Sequence, residues 1–205
     1  MVVLLFSLVL VLTVGMLAML PPGPPAPVTV VVIDAGHGAH DPGAIVAGVQ
    51  EKDINLSIAL RIQRRATSIP NLQVVLTRTT DTYPPLLERL RLAEAVGAKL
   101  YVSIHANYYR ESRICGVETW VDSDAGAESL RLARDLQRAL VSSIGAADRG
   151  VHRQTLYLRH TALPTALVEV GYLSCPAERV KLQDPTYQER IAAGILAGIL
   201  AFIGL

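Results

Sequence analysis

Two histidines and two glutamates in this chain have the types and neighbours needed to hydrolyse an amide. His37 lies in Asp34-Ala35-Gly36-His37-Gly38, Glu51 opens a helix-patterned stretch, His105 lies in Ser103-Ile104-His105-Ala106-Asn107, and Glu169 lies in Val168-Glu169-Val170-Gly171. A hydrolytic zinc site takes three protein ligands and keeps one position open, and two imidazoles with one carboxylate are a common set. His37, Glu51 and His105 supply that set. Zinc makes hydroxide available near neutral pH and polarises a substrate carbonyl. A neighbouring carboxylate is still useful, because an amide anion leaves poorly and needs a proton returned to it; Glu169 is the candidate. Taken singly, the residues say little. A histidine among glycines can cap a loop, and a glutamate at a helix N-terminus is favoured by the helix dipole alone. Glu169 is different, because it interrupts an apolar run, where an unpaired carboxylate is costly and usually has a partner or a task.

The elements that must position these groups are legible from hydrophobic period. Residues 28–33 form a β-branched run ending at Gly36 and Gly38, which predicts a buried strand and a tight loop carrying His37. Ile54, Ile58 and Ile62 recur at four-residue intervals while Arg61, Arg64 and Arg65 point elsewhere, so an amphipathic helix is expected over 53–67 with Glu51 at its N-terminus. Strands are predicted over 72–77, 100–104, 116–121, 156–158 and 166–170, and helices over 85–96 and 129–140. The strand over 100–104 delivers His105 at its carboxyl end, and that over 166–170 carries Glu169. A last helix over 188–203 ends in an uncharged run too short for a comfortable membrane span, so core packing is its expected role. Alternating strands and helices predict one α/β domain, a layered, mostly parallel or mixed sheet flanked by helices, with the reactive groups gathered along one edge.

The composition agrees. A chain of 205 residues, 51% hydrophobic and of net charge +1, falls outside disordered, collagen-like and disulfide-dense classes. With charges nearly balanced and no Lys/Arg run, a nucleic acid is not the expected partner. Residues 1–33 carry no charged side chain, and residues 2–20 are almost wholly apolar, long enough as a helix to span a bilayer core of about 30 Å. Residues 1–20 therefore read as a signal peptide or membrane anchor. The absence of Lys or Arg before Lys52, and of a small-residue cleavage site, tilts this towards an uncleaved anchor. In either form the protein is expected to be exported to the cell envelope, membrane-anchored or secreted. Residues 21–27 form a Pro-rich, semi-rigid spacer, and residues 28–205 the catalytic domain.

Several strings occur in a telling order: Val32-Ile33-Asp34-Ala35-Gly36-His37-Gly38 with Asp41-Pro42-Gly43, then Glu51-Lys52-Asp53, Leu76-Thr77-Arg78, Ser103-Ile104-His105-Ala106-Asn107, Gly116-Val117-Glu118-Thr119 and Leu167-Val168-Glu169-Val170-Gly171-Tyr172-Leu173-Ser174. An ordered series is far more specific than any one motif. From residue 28 to the C-terminus the chain resembles the zinc-dependent N-acetylmuramoyl-L-alanine amidases of bacterial cell walls, in the branch called amidase type 3. The resemblance implies His37, Glu51 and His105 as ligands of Zn2+ and Glu169 as the catalytic carboxylate. It also implies cleavage of the amide between the lactyl group of N-acetylmuramic acid and the L-alanine of the stem peptide. The expected partners are then the glycan and stem peptide of peptidoglycan, met by a monomer.

The chain departs from the family pattern at Ala35, where Pro is usual, and at Cys175, where Asn is frequent; neither removes a ligand. Cys115 is not a family hallmark, and its pairing with Cys175 is a hypothesis that an oxidising exterior permits, beside the alternative of two free thiols. His40, His152 and His160 are expected to be loop residues. Glu118 fits a groove-facing or a solvated position equally well. Asn107 and Asp34 are candidates to orient the histidines by hydrogen bonds, with loop structure as the alternative. Arg149 offers a cation to an acidic stem-peptide group or is an ordinary surface residue. Among rival functions, a zinc carboxypeptidase-like enzyme lacks its His-x-x-Glu pair, and a Cys-His hydrolase lacks a nucleophile motif around either cysteine. A wall-binding protein without turnover would be expected to lack a ligand or the base. Residues 108–116 are too few for the groove-blocking helix of some family members, so activity without an activator is expected.

Overall fold

The computed structural model describes residues 27–205, so the expectations for residues 1–20 and for the spacer up to residue 26 lie outside the described residues. In chain order the elements are β1 (Thr29–Ala35), β2 (Ile45–Val46), β3 (Val49–Gln50), α1 (Glu51–Ala66), β4 (Leu72–Leu76), α2 (Leu86–Ala95), β5 (Tyr101–Asn107), β6 (Val117–Asp122), α3 (Ala127–Ile144), β7 (Asp148–Gln154), a 3-10 turn (Tyr157–His160), β8 (Thr165–Tyr172), α4 (Pro176–Gln183) and α5 (Pro185–Ile203). β2 and β3 form a small ribbon; the other six strands form one sheet in the order β4-β1-β5-β8-β6-β7. β4, β1, β5 and β8 run parallel, β6 runs antiparallel to β8, and β7 is parallel to β6. The mixed sheet flanked by helices matches the expectation.

Strand alternation sorts side chains onto two unequal faces. Val31 and Ile33 of β1, Val102 and Ile104 of β5, and Ala166 and Val168 of β8 face the main core. There they meet Ile58 and Ile62 of α1, Leu136 and Leu140 of α3, and Ile195 and Ile199 of α5. Helices α3 and α5 approach closely because α5 carries glycine at the crossing: a Cβ on Gly198 would lie 2.7 Å from the Cα of Leu136. The uncharged end of α5 is thus consumed by the core, and among the described residues no helix is long and apolar enough to cross a membrane.

The opposite face has a smaller core of Val32, Leu90, Ala93, Tyr101, Leu158 and Leu167. Helix α2 and the 3-10 turn supply its cover. Further along the same face of β5 and β8, two residues beyond Ser103 and Leu167, come His105 and Glu169, past that cover. This half-covered face is what makes a groove.

Three sequence expectations are corrected. Residues 156–158 are not a strand; Leu156 precedes a 3-10 turn that drops Leu158 into the smaller core. The strand between α3 and β8 is instead β7, an exposed edge whose Asp148, Arg149, His152 and Arg153 hide the apolar period. Strand β5 extends to Asn107, so His105 lies inside it rather than after it. Helix α4 and the β2–β3 ribbon are too short to register as periodic segments. Cys115 and Cys175 form a disulfide with Cα atoms 5.5 Å apart, tying the segment after β5 to the end of β8. Beside it the buried Glu178 carboxylate accepts from the backbone N of Gly116 (2.8 Å) and of Tyr172 (2.7 Å).

Candidate metal and catalytic site

His37, Glu51 and His105 meet although they come from a loop, a helix start and a strand. Glu51 Oε1 lies 3.1 Å from His37 Nε2 and 2.8 Å from His105 Nδ1. The ligand atoms of all three lie within 4.8 Å of one another. Two glycines make the room. A Cβ on Gly36 would come within 2.4 Å of His105 Nε2, and one on Gly43 within 2.5 Å of Glu51 Oε2. His37 itself adopts a left-handed backbone, φ 63°, which costs a non-glycine residue about 1–3 kcal/mol and persists only where surroundings impose it. Its surroundings do: Asp41 Oδ2 lies 2.8 Å from His37 Nδ1, and Arg89 Nη2 donates to the His37 carbonyl at 3.0 Å.

Glu51 is aimed by backbone and by a helix neighbour. Its Oε2 accepts from Ala44 N at 2.9 Å, and its Oε1 from Ala106 N at 3.2 Å and Asn55 Nδ2 at 3.4 Å. Burial pushes the Glu51 carboxyl up, but hydrogen bonds and charge from His105 and His37 outweigh it and hold the group well below the usual carboxylate range. For His37 burial acts downwards, and Glu51 with Asp41 reverses it, so the imidazole is raised. Two ring nitrogens and one carboxylate oxygen, converging with their outer atoms already bonded, are a donor set suited to a divalent metal of the zinc type.

Glu169 stands opposite His105 of β5 on one side and opposite Glu118 of β6 on the other. Its Oε2 is enclosed and has no hydrogen-bond partner. Burial, then the nearby Glu51 and Glu118 carboxylates, push it well above the ordinary glutamate value. One carboxyl group able to hold a proton therefore stands beside three groups able to hold a metal.

Other candidates land elsewhere. Glu118 faces the groove, buried, and accepts from Asn107 Nδ2 (2.7 Å), Trp120 Nε1 (3.1 Å) and Arg149 Nε (3.0 Å). Asn107 therefore serves Glu118, not a histidine. Asp34 does not orient the histidines either: it lies under α2, bound to Arg89, Thr77, Ser103 and Tyr157. Asp41 orients His37 and Asn55 braces Glu51, roles that sequence reasoning missed. Their signals were Asp41 four residues after His37 and Asn55 one helical turn after Glu51. His40 packs on Tyr83 and His152 on Trp120, while His160 lies in the 3-10 turn; none joins the cluster. With Cys115 bonded to Cys175, no free thiol remains for a cysteine nucleophile.

A family model for N-acetylmuramoyl-L-alanine amidase matches residues 31–201. The chain belongs to that family. It is 36% identical over 174 residues to the N-acetylmuramoyl-L-alanine amidase LytC of Bacillus subtilis, covering 84% of this chain and 35% of LytC, so it spans about a third of that relative's length. The catalytic domain of CwlV, an N-acetylmuramoyl-L-alanine amidase from Bacillus (Paenibacillus) polymyxa var. colistinus, superimposes with a TM-score of 0.82 at 38% identity, over 86% of this chain and 98% of that one. An N-acetylmuramoyl-L-alanine amidase from Clostridium difficile 630 does so with a TM-score of 0.83 at 35% identity, over 86% and 97%. The amidase domain thus accounts for nearly all of the described residues.

Proposed function

We propose that this amidase domain hydrolyses, with zinc, the bond between the lactyl carbonyl of N-acetylmuramic acid and the nitrogen of L-alanine in peptidoglycan. The observation that carries this is the convergence of His37 Nε2, Glu51 Oε1 and His105 Nδ1 one strand from the unpartnered oxygen of Glu169. His37, Glu51 and His105 would hold the metal, and Gly36 and Gly43 keep their approach clear. A zinc ion held there supplies Lewis acidity at the scissile carbonyl and towards water. Asp41 holds the Nδ1 side of His37 and thereby leaves Nε2 free to face the other two ligands. Glu169 takes the proton from the attacking water and delivers it to the L-alanine nitrogen as the C–N bond breaks. Its enclosure suits this, since a carboxyl raised from its usual range is better matched to proton transfer near neutral pH.

The same reading makes the protein an exported, monomeric enzyme of the cell envelope, held by residues 1–20 where they are retained, with the Pro-rich spacer setting its reach. Activity without an activating partner is supported by the segment between β5 and β6, which contains no helix. The test is mass spectrometry of purified peptidoglycan treated with the full chain, with the chelated protein and with Glu169→Gln. Stem peptides beginning with L-alanine are expected from the metal-loaded wild type alone. Equal release after chelation would remove the metal from the reaction, and wall binding without release by the zinc-loaded protein would replace the enzyme by a wall-binding module.

A further inference from the structure

Four side chains stand in a row across neighbouring strands: His105 on β5, Glu169 on β8, Glu118 on β6 and Arg149 on β7. The first three are direct register partners. Arg149 joins them through a bulge, because Val117 pairs with Asp148 and Thr119 with Val151, leaving Glu118 opposite both Arg149 and Gly150. Gly150 takes φ 88°, a conformation that favours glycine, and bulges of this kind re-aim a side chain. The row ends in a cleft of about 460 Å³ whose walls include Tyr109, Trp120, Arg149 and Tyr172.

We propose that this cleft is the subsite for the free carboxylate on the second residue of the stem peptide, and that Arg149 binds it. The proposal rests on the amidase function and adds to it a substrate feature. Arg149 donates its Nε to Glu118 at 3.0 Å, and its Nη atoms make no further hydrogen bond of good geometry to a described residue, although the Tyr172 hydroxyl is near enough to interact with the guanidinium. The Tyr172 ring, 5.5 Å from the guanidinium carbon, limits its swing. Glu118 meets Arg149 through Oε2, while its Oε1 accepts from Asn107 and Trp120. A planar fork with two free donors is the geometry that matches a carboxylate bidentately. Adjacent strands lie about 4.8 Å apart; Arg149 stands on β7, two strands beyond Glu169, but its guanidinium reaches back to Glu118 on β6, which leaves about one strand spacing, or one to two residues of extended chain at ~3.5 Å per residue. In peptidoglycan the residue after L-alanine is a D-glutamate linked through its side chain, which leaves its α-carboxylate free at that distance from the scissile amide. A sugar in the cleft would stack on Trp120 and Tyr109 and leave the fork unused.

The experiment compares two purified peptidoglycans, one with D-glutamate at the second stem position and one with that carboxyl amidated, digested by the full chain and by Arg149→Gln. Release is followed at subsaturating polymer. The wild type is expected to favour the acidic polymer about tenfold, the gap between a charge-assisted and a neutral hydrogen-bonded contact. In Arg149→Gln that preference should vanish through loss on the acidic polymer alone. The ratio within one variant does not depend on how much of it is folded, so poor folding cannot imitate the result. An equal fall on both polymers, or an unchanged ratio, overturns the subsite and assigns the cleft to sugar or to structure. If the wild type releases peptides from neither polymer, the amidase function itself fails and the subsite falls with it.

Discussion

Asp34 and Glu169 are carboxylates on the same face of the same sheet, and their surroundings are opposite. Asp34 lies under α2, where Arg89 Nη1 (2.8 Å), Thr77 Oγ1 (2.6 Å), Ser103 Oγ (2.7 Å) and Tyr157 OH (3.1 Å) surround it. Burial pushes its carboxyl up, and Arg89 with the hydroxyl donors more than reverses this, leaving it below the usual value. Glu169 lies where the cover stops, with one oxygen unpartnered and its carboxyl pushed up. The covered half of the face spends a carboxylate on cohesion; the open half keeps one available. A buried acid is therefore informative about function only once its partners are counted.

The largest effect expected is on turnover. Glu169→Gln should lower peptide release by roughly 100- to 10,000-fold while bound metal, measured by elemental analysis, stays stoichiometric. The same variant should melt no lower than wild type, since it replaces an acid whose Oε2 is enclosed without a hydrogen-bond partner. A large loss of stability without loss of turnover would erase the contrast with Asp34. At the covered end the signs reverse. Arg89→Met, which strands a buried carboxylate, should cost about 3–5 kcal/mol in denaturant unfolding.

The disulfide of Cys115 and Cys175 ties the segment after β5 to the end of β8. Replacing both with Ser should cost about 2–4 kcal/mol, read as a lower unfolding midpoint that wild type reproduces under reductant. Asp41→Asn keeps an acceptor for Gly43 N but gives His37 a weaker partner. It should weaken metal binding about 10- to 100-fold in a competition titration, with little change in melting of the apo protein. The smallest effect sharpens the contrast by pH. The Asp34 carboxyl is lowered on folding, so its stabilisation is fully present above the unfolded value of about 3.9 and is lost as pH falls through the lower folded value. Acid unfolding of wild type should therefore be steeper below about pH 4 than that of Asp34→Asn, and equal slopes would show that the Arg89 pair contributes nothing.

Much of this arrangement was legible before any coordinates. The Val-rich β1 and the four-residue isoleucine spacing of α1 fix their own elements, and Glu169 announces itself by interrupting an apolar strand. Residues whose meaning depends on a distant partner were not legible. Asp34 sits in the same motif as His37 yet answers to Arg89, 55 positions away, and no local period encodes that. Strand β7 is an edge, so its charged side chains carry no alternation, and the bulge that turns Arg149 towards Glu118 exists only in the pairing of two strands. Glu118 could not be assigned to a face because its decisive donors, Asn107, Trp120 and Arg149, come from three strands.

The disulfide also changes what a protease can do to this molecule. It closes a covalent ring across a sequence separation of 60 residues that takes in β6, α3, β7 and β8. A single cut anywhere inside that ring, including the exposed connection after β7, leaves both pieces on one molecule. Glu169, Glu118 and Arg149 then stay tethered to His37, Glu51 and His105 after a nick that would otherwise separate them.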